Sequence, residues 1–499
     1  MGEPCVIENV CFVGSDKPVD IAVGHGRIAS VRPSERPTDA ASKIWVIPGL
    51  WDCHTHFTQW SYTLGRLDLI DARSAGEALD MLRRHLEERR ESGALDPNQY
   101  VVGMRFRHSL WSDDAQPTLA AIDAVAGDQP VALSSADMHC GWVNSAAARK
   151  LGVDVDESGL VGELEWFDAY CKLDKGPGAA NELMHLLRNA ERDAASKGVV
   201  GVRDYEMAEN IDTWISRFSQ GLDGLRVEAG IYPERLRQAI DDGWHTGDEL
   251  PGSHGLGHVG AMKMISDGSL NTRSAYCSMP YSGIRPETYG TLSYAPEQIE
   301  SYMRLAVEHG FAIACHAIGD EANTIVLDCA ERTHAHGSIE HAQMLKECDI
   351  PRLAQLGFAA SIQPQHAMDD RDVIARFWGT PAGIPYAFNS LHKAGTKLLM
   401  GSDAPVAPLD PWLAISAAVF GTESSDREPF QPEQCLDFET ALASSTAVGR
   451  VALRDADTAD LVLLDCDPSI IDSPEAMRAM PEHVLGTMLA GRWTYQQAE

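Results

Sequence analysis

"VIPGLWDCHTHFTQW", residues 46–60, is an apolar run that pauses at Pro48 and Gly49, resumes, and then delivers Asp52, His54 and His56. In an extended chain, residues two apart project from the same face, so both imidazoles can point at one spot where a buried strand ends. A metal ion would suit such a pair. Two polar loop histidines would give the same letters, so the remainder of the chain has to decide between them.

Working outward, strand-like apolar runs alternate with amphipathic helical stretches, the pattern of βα units on a parallel sheet. The runs are "IPGLWDCH", "GVVGVRDYE", "LRVEAGIY", "VGAMKMISDG", "GFAIACHAIGD", "GSIEHAQ", "GFAASIQPQ" and "TKLLMGSDAP". Eight such runs meet the requirement of an α/β fold of the (β/α)8 TIM-like barrel type. "DQPVALSSADMHCGWVN" also reads as a strand and is assigned to a long insertion after the first barrel strand, about residues 57–195, long enough to cover the barrel mouth.

The two ends of the chain behave differently from the middle. "CVIENVCFVG" and "VDIAVGHGRIASVRP", with Gly24 and Gly26 flanking His25 at a hairpin turn, alternate like half-buried strands, as do "TADLVLLDCDP" and "HVLGTMLAGRWTY". Residues 1–46 and 455–499 are therefore expected to pair into a small β-sandwich domain, with 47–454 forming the barrel.

Composition narrows the function classes. The chain has 499 residues, 44% of them hydrophobic, enough for a large core. A net charge of −32 argues against nucleic acid or an anionic membrane as partner, since both demand clustered Lys and Arg. The 11 cysteines are odd in number and lack CxxC spacing, which argues against a disulfide framework or a cysteine-built zinc site. No long apolar run or signal-peptide pattern is apparent, so a cytoplasmic protein is expected, with a small molecule as its partner.

Barrel active sites lie at the C-terminal ends of the strands, and polar residues gather there: His54 and His56 on the first, Lys263 on the fourth, His316 on the fifth, His341 on the sixth and Asp403 on the eighth. A lone histidine at a strand end is ordinary, and the aspartate of "GSDAP" would cap a helix equally well. Their recurrence at equivalent places on different strands favours a shared site.

These residues resemble the amidohydrolase superfamily of metal-dependent hydrolases. "DCHTH" resembles its first-strand HxH signature, and "CHAIGD", "IEHAQ" and "GSDAP" resemble the motifs of its two single histidines and terminal aspartate. "MKMISDGSLNTRSAYCSMPY" and "MHCGWVNSAAARKLGV" are similar to segments of the branch that includes N-substituted formamide deformylase. The likeness implies two divalent ions, zinc by preference with manganese or iron(II) as alternatives. His54, His56 and Asp403 would hold one ion and His316 and His341 the other, with a carboxylated Lys263 as bridge. Zinc accepts imidazole and carboxylate, and catalytic sites leave one position for water, whose pKa falls toward about 7 to give hydroxide. A lysine becomes a carbamate only as the neutral amine, so its pKa must lie well below the usual ~10.4.

The implied activity is hydrolysis of a C–N bond in an amide, N-substituted formamide or cyclic amide. Asp403 would be the proton carrier; either a metal or a side-chain donor would polarise the substrate oxygen, and His139, between an apolar strand and a helix starting near Asn144, is the candidate donor, with a helix-flanking surface position as the alternative. Glu163 and Glu165 in "GLVGELEWF" either reach the pocket or form the wet side of an edge strand, while His366 in "QPQHAMDD" stands where a substrate contact would. Asp204 and Glu206 fit either the site or a salt bridge. Trp and Tyr in the insertion hint at a partly aromatic substrate, and family habit suggests a homodimer. Two alternatives stay in view. A mononuclear deaminase places a glutamate three residues beyond the fifth-strand histidine, where this chain has Gly319, with Asp320 one position later. A non-catalytic barrel scaffold would keep the fold alone.

Overall fold

A computed structural model describes residues 4–35, 43–91, 93, 95–108, 111–112, 115–135, 140–173 and 179–497. The chain divides into two compact units, residues 1–60 with 191–499, and residues 61–190.

In the first unit, eight strands form one parallel sheet in sequence order: β1 (Leu50–Thr55), β2 (Val199–Asp204), β3 (Arg226–Ile231), β4 (Gly257–Ile265), β5 (Ile313–Ala317), β6 (Gly337–His341), β7 (Ala359–Ile362) and β8 (Leu398–Met400). All eight expected runs supply one strand each. A parallel bridge between Thr55 and Ala404 joins the last to the first and makes the TIM-like barrel. Helices such as Asn210–Ser219, Pro296–Glu308 and Asp320–Thr333 return the chain between strands. They cover the outer face, and β1, β7 and β8 are buried along their whole length, as parallel strands covered on both faces are.

The closing seam runs past the site residues. Asp403 N donates to His54 O at 2.7 Å and His56 N to Ala404 O at 2.8 Å. Asp52 Oδ1 accepts from the backbone of Ser402 at 2.9 Å and of His54 at 3.1 Å, so its carboxylate ties β8 to β1. At Gly401 a Cβ would sit 2.6 Å from His54 N, a separation that only glycine permits.

Both chain ends meet in one seven-stranded sheet, in the order Arg492–Gln496, Val484–Leu489, Leu461–Leu464, Ile44–Pro48, Cys5–Phe12, Pro18–Gly24, Arg27–Pro33. Ile44–Pro48 links the halves, pairing parallel with Cys5–Phe12 and antiparallel with Leu461–Leu464. His25 and Gly26, both at positive φ, make the two-residue hairpin turn expected there.

The second unit holds a five-stranded sheet that includes Val131–Ser135 and Cys140–Val143, the strand-like run assigned to the insertion. Asn144 caps helix Ser145–Leu151, accepting from Ala147 N. "GELEWF" is a correction. Glu163–Leu173 is a helix and not an edge strand, because Trp166, Ala169 and Leu173 are buried at helical spacing. No described helix is long and apolar enough to cross a membrane.

Candidate metal centre

Side chains from the ends of four barrel strands converge at the mouth. His54, His341 and Asp403 each offer a ligand atom, and these atoms lie within 4.8 Å of one another. His56 Nε2 is 3.3 Å from Asp403 Oδ1, and Lys263 Nζ is 3.2 Å from His54 Nε2. The His316 ring lies 4.5 Å from that of His341, but its Nε2 faces Gly268 O at 3.3 Å and Asp267 Oδ1 at 3.4 Å. His366 stacks on His341 with ring centres 5.9 Å apart, and its Nε2 is 3.9 Å from Asp403 Oδ2.

Two of these residues hold backbone conformations that non-glycine residues seldom adopt, His341 at φ 72° and Asp403 at φ 58°. Strain of this kind persists where the surroundings over-determine it, and here the β6 turn and the closing seam do so.

His54 Nδ1 donates to Glu340 Oε2 at 2.7 Å, which fixes the tautomer and leaves Nε2 with its lone pair toward the cluster. Ser338 Oγ donates to the other oxygen of Glu340. Burial would raise the Glu340 pKa, but His54 and Lys263 outweigh it and hold the carboxyl at about 2. Burial and the nearby Lys263 push His54 down to about 4, and burial with His316 and His54 depresses His341. Both shifts favour the neutral imidazole, the form that binds metal. Asp403 is held well below the carboxylate range by His54, His56 and His341, against the opposing effect of its burial. Burial lowers Lys263, with Glu340 and Asp403 opposing.

The donor set fits a divalent cation. Among the described residues, the buried His56 Nδ1, His341 Nδ1 and His366 Nε2 have no hydrogen-bond partner, an arrangement that costs free energy in an unliganded pocket. Imidazole nitrogens with carboxylate oxygen are the ligands zinc and its neighbours prefer.

Other expected residues fall elsewhere. His139 and the side chain of Glu163 lie outside the described residues. Glu165 is exposed on its helix in the second unit. Asp204 accepts from Phe57 N at 3.0 Å and Trp214 Nε1 at 2.7 Å, and Glu206 binds the Gln59 backbone and side chain, so both anchor the turn after β1. Asp267 accepts from the backbone of Tyr276, Ile318 and Gly319 at 2.9, 3.1 and 2.9 Å and so ties the loop after β4 to the end of β5. Glu340 is a site residue that the sequence motif contained and strand-end logic passed over.

Residues 40–495 match the model of the Amidohydrolase family. The chain belongs to this family of metal-dependent hydrolases. It is 26% identical over 489 residues to YtcJ of Bacillus subtilis (strain 168), a protein with a provisional amidohydrolase name, covering 91% of this chain and 89% of the relative. It is 25% identical over 521 residues to the N-substituted formamide deformylase of Arthrobacter pascens, covering 90% of each. The crystal structure of an uncharacterised metal-dependent hydrolase from Pyrococcus horikoshii OT3 superposes with a TM-score of 0.77 at 22% identity, over 94% of this chain and 99% of that one, a likeness of fold. Membership of this family implies a divalent metal, and His54, His341 and Asp403 are residues that could hold one.

Proposed function

We propose that this amidohydrolase cleaves a C–N bond of a small amide, an N-substituted formamide or a cyclic amide, using two divalent ions held by His54, His56, His316, His341, Asp403 and a carboxylated Lys263. The convergence of His54, His341 and Asp403 within 4.8 Å, with Lys263 Nζ at 3.2 Å from His54, carries the proposal. The similarity to a formamide deformylase supports the choice of bond.

Bound divalent metal supplies Lewis acidity and a water that ionises near neutral pH. Asp403, kept ionised by the surrounding histidines, takes a proton from the attacking water and returns it to the departing nitrogen. The water oxygen joins the carbonyl carbon, the C–N bond breaks, and a carboxylic acid and an amine result, on separate molecules from an open-chain amide and on one molecule from a cyclic amide. Glu340 keeps His54 in one tautomer throughout. Lys263 is buried and its ammonium is disfavoured, which supports the neutral amine that carbamate formation requires.

A deaminase reading is disfavoured by one contact. A Cβ at residue 319 would lie 2.0 Å from Tyr276 O, so no glutamate fits there, and Asp320 is engaged by Ser278. Metal analysis of the purified protein, followed by assays on N-acyl, N-formyl and cyclic amides with zinc or manganese, tests the proposal. Stoichiometric metal with amide turnover is expected. Metal-free protein, or metal-loaded protein inert on the whole panel, would exclude it.

A further inference from the structure

Strand β7 supplies none of the proposed ligands, yet its end holds a cluster of buried polar atoms without partners among the described residues: Ser361 Oγ, Gln363 Oε1 and His366 Nε2. In the parallel register Ser361 sits opposite Glu340, whose carboxylate faces inward to His54, and Gln363 lies two residues further toward the mouth. Residues two apart share a face, so Gln363 continues that inward row. It is 2% exposed. Its Nε2 donates to Ser361 O at 3.3 Å, which sets the orientation of the amide and leaves Oε1 as a free acceptor. His366, one helical turn beyond, carries its unpaired Nε2 to 3.9 Å from Asp403 Oδ2, beyond hydrogen-bond reach.

From this placement we infer that the end of β7 is the wall that reads the substrate's amide group, with Gln363 Oε1 accepting from an amide N–H and His366 Nε2 donating to the carbonyl oxygen. The inference rests on the hydrolase reading above and narrows its substrate class. Secondary amides and N-monosubstituted formamides carry both groups. Tertiary amides and esters lack the N–H and would leave a desolvated Gln363 oxygen unpaired, which is the kind of mismatch by which polar pockets reject analogues.

The test pairs an N-alkylformamide with its N-methylated counterpart on the metal-loaded full chain. The wild type is expected to favour the N–H compound by about a hundredfold in kcat/KM. Gln363→Leu should bring that ratio close to unity, through KM as well as kcat. His366→Gln should slow both compounds, leave the ratio in place and retain full metal content. Equal wild-type rates on the pair overturn this inference while leaving the hydrolase reading intact, and that comparison needs no variant to fold. A preference that survives Gln363→Leu also overturns it, and loss of metal from His366→Gln would make that histidine a ligand in place of a donor. Where neither formamide is turned over, the same comparison is made on an N–H amide from the panel that is hydrolysed and its N-methylated counterpart; inertness on the whole panel overturns the hydrolase reading and this inference with it.

Discussion

Glu340 and His54 join across the barrel through a 2.7 Å hydrogen bond that solvent does not reach, the carboxylate on β6 and the imidazole on β1. The bond makes the sixth strand serve twice, since His341 is the next residue. Glu340→Gln keeps an acceptor but removes the charge that orients and strengthens the imidazole. Metal affinity should fall by about 10- to 100-fold, with little change in the fold, as measured by metal titration and circular dichroism. Unchanged affinity would mean that His54 does not bind metal.

Lys263→Ala should lose the bridging oxygens of the proposed carbamate and most of the activity. A short carboxylic acid added in excess should restore part of it by supplying those oxygens. Since Lys263 is fully buried, a folding control by thermal melting belongs beside the assay. Full activity in the alanine variant would dismiss the bridge.

Gly319→Ala tests the contact that argues against the deaminase reading. The added Cβ would meet Tyr276 O at 2.0 Å, and relief would have to move the backbone whose N–H binds Asp267 beside His316. Stability should drop by about 1–3 kcal/mol or more, with weaker metal binding. A variant as stable as the wild type would show that this turn has slack.

Most of the barrel is legible in the letters because parallel strands covered on both faces must be apolar until they reach the mouth, and the change to polar residues marks the end of each strand. His54, Lys263, His341 and Asp403 stand at such ends. Glu340 was hidden for a different reason: it lies one residue short of the strand end, beside a more conspicuous histidine, and its role depends on a partner 286 residues away. Glu163 and Glu165 misled because short acidic–apolar alternation matches strand and helix alike. The burial of Trp166, Ala169 and Leu173 on one helical stripe becomes decisive only once a core is there to face.

Asp410 offers a pH test away from the metal cluster. It caps helix Pro411–Phe420 by accepting from Trp412 N, and burial, with Lys197 opposing, raises its pKa to about 6. The folded carboxyl binds its proton more tightly than the unfolded one, whose pKa is ~3.9. Its contribution to stability is therefore complete below ~3.9 and is lost as pH rises through about 6. Asp410→Asn keeps a capping oxygen and has no proton to lose. The stability of the wild type relative to this variant should fall by on the order of 2 kcal/mol between pH 4 and 7, measured by denaturant melts. A constant difference would show that Asp410 titrates normally.

The two faces of β1 provide the sharpest comparison. His56 Nε2 lies 3.3 Å from Asp403 and its Nδ1 is buried without a partner among the described residues, while Cys53, three residues earlier, is buried, and that burial pushes its thiol up to about 12. That thiol is inert packing and not a ligand. His54→Ala and His56→Ala should each abolish turnover and lower bound metal, because each removes a nitrogen from the same cluster. Cys53→Ala should retain metal and rate at a stability cost of about 1–2 kcal/mol for the small cavity it opens. Cys53 and His54 are buried neighbours on β1 and His56 directly follows its end, so a local folding defect would affect the three variants alike, whereas metal ligation separates them. If His56→Ala kept its metal and its rate, the histidine pair would be no more than two loop residues; if Cys53→Ala lost its metal, the strand would be turned the other way.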